Sequence, residues 1–60
     1  MYKVESMTSW FIVDVSTKGK AYSEGVREWG NGAVTAVTKA SKDDIKYFKN
    51  LKGEDAVRSN

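Results

Sequence analysis

The chain has no cysteine and no histidine. Without cysteine there is neither a disulfide nor a thiolate metal site, and without histidine the commonest metal ligand and general base are missing. Zinc fingers, iron–sulfur centres, thiol chemistry and any catalytic triad built on imidazole are therefore excluded. A phosphate-binding glycine loop is lacking too: Gly30-Asn31-Gly32 has neither the further glycine, nor the lysine, nor the following helix that such loops require. Long apolar runs are absent. The longest, Trp10 to Val13, falls far below the ~20 residues that span a bilayer. Met1-Tyr2-Lys3-Val4-Glu5 has no apolar region of the kind a secretory signal carries. The expectations are no membrane partner and a cytoplasmic location.

The carboxylates offer little chemistry. Asp43 and Asp44 are adjacent, and neighbouring helix residues point about 100° apart, so the pair is expected to supply helix-start charge rather than a shared site. Asp14, inside an apolar stretch, is read as marking the solvent side of a strand. No enzymatic activity, cofactor or metal is expected.

What is present is a globular composition, 40% hydrophobic with 12% aromatic, too rich in large apolar side chains for a disordered segment. Sixty residues make one small domain, expected over residues 1–53 with a frayed polar tail at 54–60. A chain of this size buries only about 60% of its unfolded surface and retains a net stability of ~3–5 kcal/mol.

The segment Trp10-Phe11-Ile12-Val13-Asp14-Val15 has the aromatic and β-branched content of a strand. Thr17-Lys18-Gly19 reads as a hairpin loop and Ala21 to Glu28 as the returning strand, with Gly25 at a bulge or under a closely approaching side chain. Gly30-Asn31-Gly32 signals a turn. Ala33 to Thr38 reads as a third strand, and the alternation of Tyr2 and Val4 with polar neighbours suggests a short fourth. Ser41 and Asp44 approximate a capping box, Lys49 and Lys52 suit a helix end, and Gly53 suits its stop, so a helix is predicted over Lys42 to Lys52. Ile45, Phe48 and Leu51 share its apolar side. These elements predict an α+β fold: a three- or four-stranded antiparallel β-meander followed by one C-terminal helix packed on one face. A small open β-barrel with a terminal helix is the alternative.

One helix covers one face of a sheet, so the other face is expected to be open. Phe11, Val13 and Val15 would face the helix, leaving Trp10 and Ile12 outward. Depending on the hairpin register, Tyr22 and Val26, or Arg27 opposite Trp10, would join them. Trp10, Ile12, Tyr22, Val26 and Arg27 are therefore the candidate protein-binding residues of a non-catalytic module, an inhibitor or adaptor of the kind viruses direct at host enzymes. Such a module can also add an edge strand to a partner's sheet, or cover its aromatic face by forming a homodimer.

The alternative partner is nucleic acid. From Lys39 to Gly53 there are five lysines against two aspartates, whereas residues 1–38 hold four basic and four acidic side chains and balance. Lys42, Lys46 and Lys49 fall on one helix face with Lys39 nearby, a row to which phosphates would be drawn, and Trp10 or Tyr22 would offer a stacking platform for a base.

Overall fold

Residues 1–59 are described by a computed structural model. The chain runs β1 (Tyr2–Glu5), β2 (Trp10–Asp14), α1 (Lys18–Trp29), β3 (Ala36–Lys39), α2 (Lys42–Lys52) and β4 (Arg58–Ser59). The four strands form one mixed sheet in the order β3-β1-β2-β4. β1 lies antiparallel to both β2 and β3, and β4 lies parallel to β2. The α+β class stands, but the sheet is neither a meander nor a barrel, and the described residues form two helices, not one.

The Tyr2–Glu5 segment is the centre of the sheet. Val4 faces Phe11 on one side and Val37 on the other, and all three are buried. The β1–β2 hairpin closes through Ser6: its N–H donates to the Ser9 carbonyl at 2.8 Å, and its Oγ accepts from the Ser9 N–H at 3.0 Å. A side-chain oxygen thus organises a turn that contains no glycine. β2 therefore pairs with β1 and not with a strand over residues 21–28, so Arg27 does not lie opposite Trp10 in either hairpin register.

Residues 18–29, expected as a hairpin loop and a strand, form α1. Thr17 caps it, its Oγ1 accepting from the Lys20 N–H at 3.2 Å. Ala21 and Gly25, four residues apart, are buried, and Trp29 follows at the same spacing. Gly25 sits under a close approach, as one of its two expected roles required, but on a helix. A Cβ built there would lie 2.6 Å from Val34 Cγ2 and 2.7 Å from Val4 Cγ1. The helix gains nearness to the sheet from having no side chain at this position. Gly30 and Gly32, both at positive φ, then reverse the chain, as the turn signal predicted.

α2 occupies its predicted span. The capping box between Ser41 and Asp44 is complete, with the Asp44 N–H donating to Ser41 Oγ at 3.0 Å and the Ser41 N–H donating to Asp44 Oδ2 at 3.1 Å. Phe48 is buried and Ile45 half-buried, but Leu51 is 57% exposed and does not reach the sheet.

The two helices lie on opposite faces. Gly25 of α1 meets Val4, and Trp29 lies 5.1 Å from Phe11, on the face shared by Val4, Phe11, Val13 and Val37. Phe48 of α2 lies 5.1 Å from Trp10, on the alternate face. The connections explain this. β2, β3 and β4 run in one direction, with β2-α1-β3 crossing toward one sheet edge and β3-α2-β4 crossing back. Crossovers of one hand that travel in opposite senses must use opposite faces. Both sides of β2 are consequently covered, and Phe11, Ile12 and Val13 are all buried. The tail expected to fray instead returns to the sheet as β4, pinned by Arg58, which bonds Glu28 at 2.8 Å and lies 4.1 Å from the Phe11 ring. Asn60 lies outside the described residues.

Candidate functional site

The sheet-face cluster predicted from Trp10, Ile12, Tyr22, Val26 and Arg27 is not assembled. Ile12 is 0% exposed. Trp10 is half-buried against α2, its ring stacked on Tyr47 at 6.1 Å and 11° and tilted against Phe48, with Lys3 Nζ 4.8 Å from its centroid. Tyr22, Val26 and Arg27 belong to α1, on the other side of the sheet. Val26 is half-buried, while Arg27 is exposed and pairs within its helix with Glu24 at 3.6 Å. Of the five residues, Tyr22 is the aromatic that remains accessible, at 46%. A second copy paired through this face would have to displace α2.

The lysine row survives in part. Lys42 and Lys46 are exposed and Lys49 half-buried; the three lie within an arc of about 60° on α2. With Ile45, Asn50 and Glu54 they border a shallow groove of about 370 Å³. Lys39, in β3, belongs to the opposite face of the sheet, since it aligns with Tyr2 and lies two residues from the buried Val37. Neither Trp10, under α2, nor Tyr22, on α1, adjoins the row, so neither supplies the expected stacking platform; the exposed aromatic of α2 itself, Tyr47, lies about 100° around the helix from Lys46 and is stacked on Trp10. The ion pairs join Lys3 to Glu5 and Asp44, Arg27 to Glu24 and Arg58 to Glu28; among the described residues every lysine except Lys3 lacks a carboxylate partner. Hydrogen bonding from Ser41, with the charge of Lys3, holds the Asp44 carboxyl below its ordinary pKa.

A third surface lies at the β3 edge. The Ala40 N–H donates to the Met1 carbonyl at 3.0 Å, which makes Met1–Ala40 a bonded pair of the antiparallel ladder. Bonded and non-bonded pairs alternate, so Lys3–Thr38 and Glu5–Ala36 are also bonded, while Tyr2–Lys39 and Val4–Val37 are not. The N–H and C=O of Val37 and Lys39 accordingly point away from β1, along a strand with no neighbour on its outer side among the described residues. Beside this edge runs a groove of about 400 Å³ between β3 and α1, lined by Lys18, Tyr22, Val34, Thr35, Ala36, Val37 and Thr38. No carboxylate lines it. The sequence carries one trace of this edge: a short strand ending in a lone lysine is a common way to protect an unpaired strand. That α1 would flank it was not readable while residues 21–28 looked extended.

A cleft of about 230 Å³ opens at the other edge, walled by Trp10, Phe11, Trp29 and Phe48 and closed on one side by the Arg58–Glu28 pair. Among the described residues no group of three or more acidic side chains converges in a way that could hold a metal ion. Among the described residues no helix is long and apolar enough to cross a membrane. Comparison with protein families, with curated proteins and with solved structures returned no match for this chain.

Proposed function

We propose that this protein is a non-catalytic protein-binding module that takes an extended segment of its partner onto the outer edge of β3. The observation that carries the reading is the row of outward backbone groups on Val37 and Lys39 beside the Tyr22 groove. An added strand satisfies such groups with main-chain hydrogen bonds, and a groove flanking the edge receives its alternate side chains. An inhibitor or adaptor acting on a larger protein fits this mode, because one strand of contact completes a sheet that the small chain leaves open.

The experiment uses proline as a backbone probe. Lys39→Pro removes an outward N–H and leaves the ladder to β1 intact, since proline is tolerated where the N–H faces solvent. Lys39→Gln removes the charge and keeps the N–H. Capture of extended peptides is expected to be lost in the proline variant and retained in the glutamine variant, with far-UV circular dichroism unchanged in both. Equal binding by the proline variant refutes strand addition at this edge.

Nucleic-acid binding through Lys42, Lys46 and Lys49 is the second reading, favoured by the lack of carboxylate partners for these lysines. With neither Trp10 nor Tyr22 beside the row, phosphate contact would carry the affinity and lose it steeply with salt. Titration with a duplex oligonucleotide at ~50 and ~200 mM salt tests it: binding that falls steeply with salt supports phosphate contact, and no binding at ~50 mM refutes it.

A further inference from the structure

The β3 edge is charged unevenly, and on the strand-addition reading this selects its partner. We propose that the captured segment runs antiparallel to β3 and carries an acidic residue, then any residue, then an apolar one. Lys39 and Val37 are the positions whose backbone groups face outward, so each would exchange a pair of hydrogen bonds with the residue opposite it. In the antiparallel sense, the partner residue opposite Lys39 precedes by two the residue opposite Val37. Side chains of directly opposed residues share a face, so both would project to the α1 side.

On that side the groove changes character along its length. Lys18, in the first turn of α1, stands near the carboxyl end of β3, because α1 runs back against the strand direction. Tyr22 lies one turn further on, and Val34 at the far end. Neither Lys18 nor Lys39 has a carboxylate partner among the described residues, and no acid lines the groove. A partner carboxylate opposite Lys39 therefore meets two uncompensated ammonium groups. The apolar residue two positions later meets Val37 and the exposed ring of Tyr22, where a β-branched side chain suits both strand geometry and an aromatic neighbour. A basic residue in the first position would place like charges opposite one another.

The test titrates ¹⁵N-labelled full-length protein with the peptide acetyl-Thr-Glu-Thr-Val-Thr-Val-amide. Its counterparts carry Gln or Lys in place of Glu, and a further peptide has the reversed sequence. The expected result is amide shifts centred on Val37 and Lys39, with the Glu peptide bound about five-fold more tightly than the Gln peptide and the Lys peptide weakest. The order should collapse in the Lys18→Gln/Lys39→Gln double variant, with binding itself retained. Equal affinity for the Glu, Gln and Lys peptides overturns the acidic preference and leaves strand addition standing. Tighter binding of the reversed peptide overturns the antiparallel sense. No shift at β3 with any peptide at millimolar concentration, or shifts centred on Lys42, Lys46 and Lys49, overturns the underlying reading as well.

Discussion

Replacing Gly25 by alanine sets two opposing effects against each other. An alanine in a helix interior is favoured over glycine by about 1 kcal/mol. The new methyl would sit 2.6 Å from Val34 Cγ2 and 2.7 Å from Val4 Cγ1. Carbon atoms prefer separations of about 3.5–4.0 Å, so each contact is short by roughly 1 Å. Val34 precedes β3 in a loop and is only partly buried. Val4 is fully buried in the central strand, held by β2 and β3 on either side. Its branched side chain is also stiff about χ1. The helix must lift, which loosens the Phe11–Trp29 contact as well. Overpacking of this kind costs about 1–3 kcal/mol. With Val4 held in place the upper part of that range applies, about 2–3 kcal/mol, so net of a propensity gain of about 1 kcal/mol Gly25→Ala should cost about 1–2 kcal/mol, a fall in Tm on the order of 10 °C for a domain this small. Gly19→Ala is the matched control. Its Cβ would meet nothing nearer than Thr17 Oγ1 at 4.0 Å, so propensity acts alone and Tm should rise by a few degrees. Thermal unfolding followed at 222 nm reads both. A Gly25→Ala variant as stable as the parent would mean that α1 does not rest on β1 as described.

Two further outcomes follow from the same contacts. Trp10→Ala should cost about 3 kcal/mol, comparable to the whole stability of so short a chain, because the indole packs against Tyr47 and Phe48. Chemical denaturation would show it, and an unchanged midpoint would return Trp10 to the surface. The lowered pKa of Asp44 makes its charge stabilising above the ordinary carboxylate value of about 3.9, and that contribution is lost as pH falls through the depressed native pKa. Asp44→Asn should therefore flatten the acid limb of a Tm–pH curve below about pH 4, and an identical acid limb would show that the Ser41 and Lys3 contacts do not favour the ionised form.

Elements whose signals are local were legible in the residues alone. Ser41, Asp44 and Gly53 marked the ends of α2 because capping is an interaction among residues three or four apart. The density of aromatic and β-branched residues marked β2, and paired glycines marked the reversal after α1. Everything that depends on which residues lie opposite was set by long-range packing. Ala21 to Glu28 has an apolar pattern that fits either period, and its helical state is settled by Gly25 docking on Val4 and Val34. The central place of β1 rests on partners drawn from residues 10–13 and 36–39. The proposed site differs from the expected one for the same reason. Trp10 was correctly placed on a face away from Phe11, but a second helix covers that face, and exposure passed instead to the β3 edge. Whether a side chain is open to a partner is a property of the layer above it, which lies far away in the chain.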